Sequence, residues 1–336
     1  MFSFVVENKG KADLSVTGTY MNLVKEACAA VGEVECIRMG EPAKSKSSYI
    51  LTDTIQAAFS YLRKGYKNHI VWMQGVVPEE SFMRRRSKLR YHLIGIMEKL
   101  VLKKAKLLLL VSDEMRIHYE TKYKLKLADK SVIVPCFNET EVVETAFKDD
   151  KYRENSFVYV GSLHAWQCFE QTVKLYAELE RLSATPTKFH VYTFQQDKAR
   201  EILAANGVQN YEVDCVDKEG LSERIKIMKY GFVLREDCTV NNVATPTKFS
   251  NYLANGIIPI YSSSLGSFAA FDRTNGLGIV CDLDRLEEGI MAILAHMQTE
   301  ISADEVRQKC VNAFDTYYNA EHYRQAIIEK IAHLIS

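Results

Sequence analysis

Short apolar runs alternate along the whole chain with longer stretches whose apolar residues recur at helical spacing. Phe2–Val6, Val34–Ile37, Ile70–Met73, Leu107–Val111 and Val132–Val134 read as strands, and helical patterns fall near 18–31, 54–64, 82–104 and 113–123. A second series follows, with strands Phe157–Val160, Phe189–Thr193, Tyr211–Val213, Gly231–Leu234 and Ile257–Tyr261 and helices between them. Nearly continuous apolar strands separated by amphipathic helices predict parallel sheets covered on both faces, an α/β architecture. Residues 140–155 are charged and poor in periodic apolar positions, so they read as a linker between two domains. The stretch from Asn319 to Ile335 reads as a terminal helix with a core-facing side. Ligands in open α/β sheets bind beyond the carboxyl ends of strands, which places the expected site in the cleft between two such domains.

The densest local chemistry lies between Arg235 and Tyr261. A strand end at Arg235 is followed by a polar loop, a helix opening on Pro246-Thr247, a stop at Gly256 and another apolar strand. Proline near a helix start and glycine just past its end are the expected punctuation. The unpaired amides of such a helix start favour an anion, so Thr245, Thr247 and Lys248 form a candidate phosphate or sugar-phosphate cradle. A lysine in a first helical turn opposes the helix dipole unless an anion is near, and Arg235 ends a strand where ligands bind.

Arg-x-Asp, then Asn, then Pro-Thr-Lys-Phe-x-x-Tyr-Leu-Ala-x-Gly-x-x-Pro-Ile resembles the donor-binding segment of retaining GT-B glycosyltransferases of the family-four type, in the variant of capsule and surface-polysaccharide enzymes. Phe157-Val-Tyr-Val-Gly-Ser-Leu-His-Ala-Trp-Gln167 is similar to the glycine turn that opens their second domain. Val111–Tyr119 with Val132–Asn138 resembles the end of their first domain. The resemblance implies two Rossmann-like domains with a cleft between them: an acceptor-side domain over 1–145, a donor domain over 146–318, and a helix over 319–336 that crosses back to the first. It implies transfer of a sugar from a nucleotide sugar to a glycan or lipid-linked glycan, with retention, with no cofactor beyond that co-substrate and with no metal.

Carried over residue by residue, the resemblance departs from the family in instructive places. Gly161 is the glycine of the turn, but Ser162 and Gln167 stand where relatives carry an Arg and a Lys that neutralise pyrophosphate. Arg235 and Lys248 are therefore the expected catalytic cations, with Trp166 on the donor side and Asp237 either holding Arg235 or binding a sugar hydroxyl. Asn251, counted back from Gly256, falls at the second of two ribose-binding glutamates. Val243 cannot serve as the first, leaving Asn241 or Asn242 to supply that contact. On the acceptor side the candidates are Gly18 and Tyr20 after the first strand, Gly75, Glu79 and Glu80 after the third, and His164 in the glycine turn. Glu79 or Glu80 would orient an acceptor hydroxyl or act as base, or simply match a helix dipole.

Composition narrows the alternatives. The 336 residues carry 43 Lys plus Arg against 43 Asp plus Glu, which gives no bulk attraction to nucleic acid. Eight scattered cysteines without a CxxC pair read as reduced, mostly buried thiols of a cytoplasmic protein. Asp282-Leu-Asp284 reads as a loop and helix start rather than a metal site. Residues 84–106 hold nine Lys or Arg and one acid, Glu98, with Leu89, Leu93, Ile96, Met97 and Leu100 on one side. Such a helix suits the anionic inner face of a membrane, the other reading being an ordinary solvated helix on a core. Another GT-B-shaped enzyme, such as an epimerase or inverting transferase, and a non-catalytic sugar-nucleotide binder remain the competing functions.

Overall fold

The computed structural model describes residues 1–6 and 16–336, side chains at 16–19 and 218–219 excepted. The chain forms two units, the first of residues 1–138, 242–245 and 319–336, the second of 139–241 and 246–318. In the first, β1 (Phe2–Val6), α1 (Val16–Ala29), β2 (Val34–Arg38), β3 (Tyr49–Thr52), α2 (Ile55–Arg63), β4 (Asn68–Met73), α3 (Val77–Arg85), α4 (Lys88–Lys104), β5 (Leu107–Leu110), α5 (Asp113–Tyr123) and β6 (Ser131–Ile133) build a parallel sheet of order β2-β1-β3-β4-β5-β6. The second contains α6 (Asp149–Arg153), β7 (Asn155–Val160), α7 (Phe169–Leu182), β8 (Thr187–Tyr192), α8 (Gln196–Ala205), β9 (Tyr211–Asp214), α9 (Lys218–Ile225) and β10 (Tyr230–Val233). It continues through α10 (Thr239–Asn242), α11 (Lys248–Ala254), β11 (Ile258–Tyr261), α12 (Gly266–Asn275), β12 (Ile279–Val280), α13 (Leu286–Met297) and α14 (Ala303–Thr316), with sheet order β12-β11-β10-β7-β8-β9. The last helix, α15 (Ala320–Ile335), packs on α1 of the first unit, where Tyr49 donates its hydroxyl to Leu334 O at 2.9 Å.

Three local expectations change. The helix read over 82–104 is two helices, because Arg86 adopts a left-handed φ of 51° and Ser87 starts α4 by accepting from Arg90 N. Strands β3 and β12 carry too few apolar residues, four positions and two, to stand out from the flanking polar chain. Residues 140–155 are not a free linker. Val143 N bonds to Ala254 O at 2.7 Å, Tyr152 donates to Gly256 O at 2.8 Å and Lys151 donates to Asn255 O, so this segment clamps the end of α11. Burial drives the Lys151 amine down to about 7.

Aromatic rings fill the second unit's core: Phe157 lies 5.0 Å from Tyr230 and 5.6 Å from Phe232, and Tyr176 lies 4.6 Å from Phe189. Gly231, mid-strand in β10, is required by the Tyr252 ring of α11, since a Cβ there would meet ring carbons at 2.5 Å. That close approach seats α11 on the sheet. Gly231→Ala should therefore cost about 1–3 kcal/mol through overpacking. A urea midpoint unchanged from the parent protein would show that α11 shifts freely.

Candidate anion seat and acceptor-side pocket

In the second sheet the chain runs β7-β8-β9 outward and returns with β10 on the other side of β7. The carboxyl ends of β7 and β10 flank this topological switch point, the usual ligand position in open α/β sheets. Gly161 follows β7 and Arg235 follows β10. Arg235 and Lys248 are 4% and 8% exposed, and both aim at one atom: Gln167 Oε1 accepts from Arg235 Nη2 at 2.7 Å and from Lys248 Nζ at 2.7 Å. Arg235 Nη1 also donates to Leu234 O at 2.7 Å and to Gln167 O at 3.4 Å. The Lys248 ammonium sits 4.3 Å from the centre of the Tyr159 ring, a cation–π contact.

No ion pair joins Arg235 or Lys248 to a carboxylate among the described residues. Burial, then the neighbouring Arg235 charge, pushes the Lys248 amine well below the ordinary lysine range, and burial also lowers Arg235. Two buried like charges without a counter-charge are costly, and such costs concentrate at ligand sites. Gly161, at φ 133°, makes room for Lys248: a Cβ there would meet its Cε at 3.0 Å and Nζ at 3.2 Å. Tyr159 closes the turn by donating to Ser162 O at 2.7 Å. Trp166 is half-exposed and stacks on exposed His164 at 4.7 Å, so the turn presents two rings outward.

Other donor-side expectations divide. Asn251 lies one turn after Lys248 in α11, on the same helix face, and its buried Oδ1 has no hydrogen-bond partner. Asp237 is exposed beyond β10, and Arg235 is oriented by Gln167 and Leu234. Asn241 is buried with its Nδ2 donating to Glu236 O at 3.0 Å, so it ties the loop instead of waiting for a ribose. Thr245 belongs to the first unit, where its Oγ1 accepts from Cys136 N at 2.9 Å; it is not part of the cradle. Thr247 precedes α11 without a side-chain cap, and α11 has only 7 residues, so side-chain cations outweigh the helix dipole here. Sequence reasoning missed Tyr159, whose partner Lys248 is 89 positions away, and Ser262, whose Oγ accepts from Arg235 N at 3.0 Å.

In the first unit, Gly75 and Glu80 line a cavity of about 360 Å³ at the ends of β3 and β4, with Asp53, Trp72, Gln74 and Arg84. A Cβ on Gly75 would meet Glu80 Oε1 at 2.0 Å, so glycine lets that carboxylate lie over the strand end. Burial raises the Glu80 carboxyl, against the pull of Arg84 at 3.6 Å. The Trp72 indole N–H is buried without a partner. Glu79 does not line this cavity. It meets Lys122 at 2.7 Å, His118 at 3.4 Å and the Tyr91 hydroxyl at 3.1 Å. Burial opposes its charge, but His118 and Lys122 overcome that and hold it near 2, which removes Glu79 as a general base. Lys122 also reaches buried Glu98 at 3.3 Å; burial raises that carboxyl. Tyr20 is a core residue, stacked on Trp72 at 3.8 Å and donating to Val134 O at 3.2 Å, so it cannot line an acceptor site. Gly18 lies in α1, within the stretch whose side-chain surroundings are outside the described residues. Among the described residues no three His, Cys, Asp or Glu side chains converge to hold a metal. Asp282 instead accepts from Ser263 N at 2.7 Å and pairs with Arg285 at 2.7 Å.

The unneutralised charge at Lys248 has a measurable cost. Lys248→Met should leave the ligand-free protein as stable or up to about 1–4 kcal/mol more stable, since buried charge gives way to an apolar side chain. A lowered lysine pKa destabilises fully below its folded value, and the cost fades as pH rises toward the unfolded value. The variant's advantage in melting temperature should therefore shrink as pH rises. A variant clearly less stable at neutral pH would show that the ammonium is already compensated.

No family model and no curated protein matches this chain. Solved structures do. A TarM variant from S. aureus, in complex with fondaparinux, alpha-GlcNAc-glycerol and UDP, is similar over 86% of this chain at 11% identity and a TM-score of 0.64; this chain spans only 56% of it. Sucrose-phosphate synthase from Thermosynechococcus elongatus matches over 99% of this chain and 98% of its own, at 14% identity and a TM-score of 0.70. WaaG, a glycosyltransferase involved in lipopolysaccharide biosynthesis, matches over 97% and 99%, at 12% identity and a TM-score of 0.68. With its two parallel six-stranded sheets and their helices, the chain has the fold of the GT-B glycosyltransferases.

Proposed function

We propose that the protein is a nucleotide-sugar-dependent glycosyltransferase, with the donor on the second unit and the acceptor on the first. The observation that carries this reading is the buried Arg235–Lys248 pair, without a carboxylate, at the β7/β10 switch point. A nucleoside diphosphate brings the missing negative charge. Arg235 and Lys248 would stabilise the charge that grows on the β-phosphate as the glycosidic bond breaks, a preorganised electrostatic role. Asn251 Oδ1 would accept from a ribose hydroxyl. The acceptor hydroxyl would attack from the leaving group's face, giving retention, and pass its proton to that phosphate. Two cations at the diphosphate supply the charge that a metal supplies elsewhere, so turnover should survive chelators. The missing glutamate pair, with Val243 and Asn251 in its place, favours one second reading, a non-catalytic sugar-nucleotide binder.

Arg235→Ala and Lys248→Ala should each weaken nucleoside diphosphate binding at least tenfold while leaving nucleoside binding nearly unchanged, and Asn251→Ala should weaken both. Titration calorimetry with UDP, GDP and their nucleosides reads this directly. Equal losses for nucleoside and diphosphate would remove the phosphate role. Slow hydrolysis of one nucleotide sugar, unaffected by EDTA, separates the enzyme from the binder.

The acceptor we propose is a lipid-linked glycan met at an anionic membrane surface. On α4 the core-facing side is Glu98, Val101 and Leu102, while Leu89, Leu93, Ile96 and Leu100 are 72, 59, 59 and 41% exposed in one stripe. Beside it, Arg63, Lys67, Lys103, Lys104, Lys106 and Lys130 rim an open pocket of about 900 Å³ with no acid in its lining. Apolar stripe and cations together suit lipid, and each cation contributes about 1 kcal/mol at such a surface. Among the described residues no helix is long and apolar enough to cross a membrane. Cosedimentation with phosphatidylglycerol vesicles should fall as salt rises, and fall again in a Leu93→Asp, Ile96→Asp variant. Absence of binding at low salt would leave the acceptor free of the membrane.

A further inference from the structure

Gln167 stands out because its one side-chain oxygen accepts from two buried cations, yet it carries no charge. It sits on the one-turn segment Ala165–Gln167, held between Gly161 and Cys168, whose φ angles are 133° and 51°. Its Oε1 lies 2.7 Å from both Arg235 Nη2 and Lys248 Nζ, the spacing of charge-assisted bonds, and its main-chain oxygen accepts from Arg235 as well. One oxygen between two converging cationic donors is the arrangement a phosphoryl oxygen would adopt. An amide oxygen neutralises neither charge.

We propose that the Gln167 carboxamide is an internal competitor: its oxygen holds the seat of a phosphoryl oxygen and yields it to the ligand. The exchange breaks two hydrogen bonds to an amide oxygen and forms two to an anionic oxygen. Only a ligand that brings formal negative charge gains from it, so a diphosphate displaces the amide and a neutral sugar does not. Gln167 thereby sets a charge threshold for entry while keeping Arg235 and Lys248 from turning apart. The inference rests on the reading of this site as a diphosphate seat.

The test uses the full chain, inorganic pyrophosphate as probe and uridine as neutral control. Gln167→Ala, and Gln167→Asn with its shorter reach, should bind pyrophosphate roughly three- to tenfold more tightly, the worth of one or two released hydrogen bonds. Gln167→Glu should bind it at least tenfold more weakly and melt at a higher temperature, because a carboxylate in the seat pairs with both cations. Uridine affinity should not respond to any of the three. Weaker pyrophosphate binding by the Ala or Asn variant, with melting temperature retained, would make the amide a direct ligand contact and overturn the proposal; equal affinity in all forms would place the amide outside the seat. A pyrophosphate response without transfer from any nucleotide sugar would sink the enzyme reading alone. Transfer with pyrophosphate affinity indifferent to residue 167 would sink the competitor alone. No pyrophosphate binding in any form would sink both.

Discussion

Two cations forced together out of water, Arg235 and Lys248 on Gln167 Oε1, set the terms for much of the second unit. Their repulsion and desolvation must be offset by neighbours that hold them in place. Tyr159 offers its ring face to Lys248, Leu234 and Gln167 offer carbonyls to Arg235, and Ser262 accepts from the Arg235 amide. Each neighbour needs its own support. Gly161 must lack a side chain, and Gly231 must lack one so that Tyr252 can seat α11 and bring Lys248 to the strand end. Segment 140–155 then clamps the far end of α11 through Val143, Lys151 and Tyr152. Buried charge left without a counter-charge in this way costs stability.

The first unit handles charge in the opposite way. Glu79, Lys122, His118 and Glu98 gather across α3, α4 and α5, with Tyr91 and Tyr123 donating to the carboxylates, while Glu79 Oε2, Glu98 Oε1 and His118 Nε2 stay buried without a hydrogen bond. Lys122 bridges the two carboxylates and so ties the three helices together. Glu80, next in sequence, turns instead to the cavity beside Gly75 and keeps a raised pKa. Adjacent glutamates thus have separate duties, set by which helix face each occupies. Helix α4 joins that network to the solvent: Glu98 anchors it inward while Leu89, Leu93 and Leu100 face out. An aliphatic stripe thus lies exposed beside a basic pocket.

By itself the sequence determined the α/β alternation and the strand-loop-helix order at 235–261, and singled out Arg235, Lys248 and Gly161 as candidates, because these rest on local periodicity, punctuation and charge placed against a helix start. Periodicity cannot reveal which strands neighbour one another, so the switch point between β7 and β10, and with it the meeting of residues 81 positions apart, came only from tertiary structure. Neither could it separate a buried amide already bonded, as in Asn241, from one left open, as in Asn251, since both are polar residues in the same segment. The direction of α4's apolar face was equally invisible: a helix shows its stripe in sequence, but whether core or solvent lies against it depends on what the sheet and α2 already cover. Tyr20 and Glu79 were misplaced for the same reason, because side-chain polarity is local while burial and pairing belong to the assembled fold.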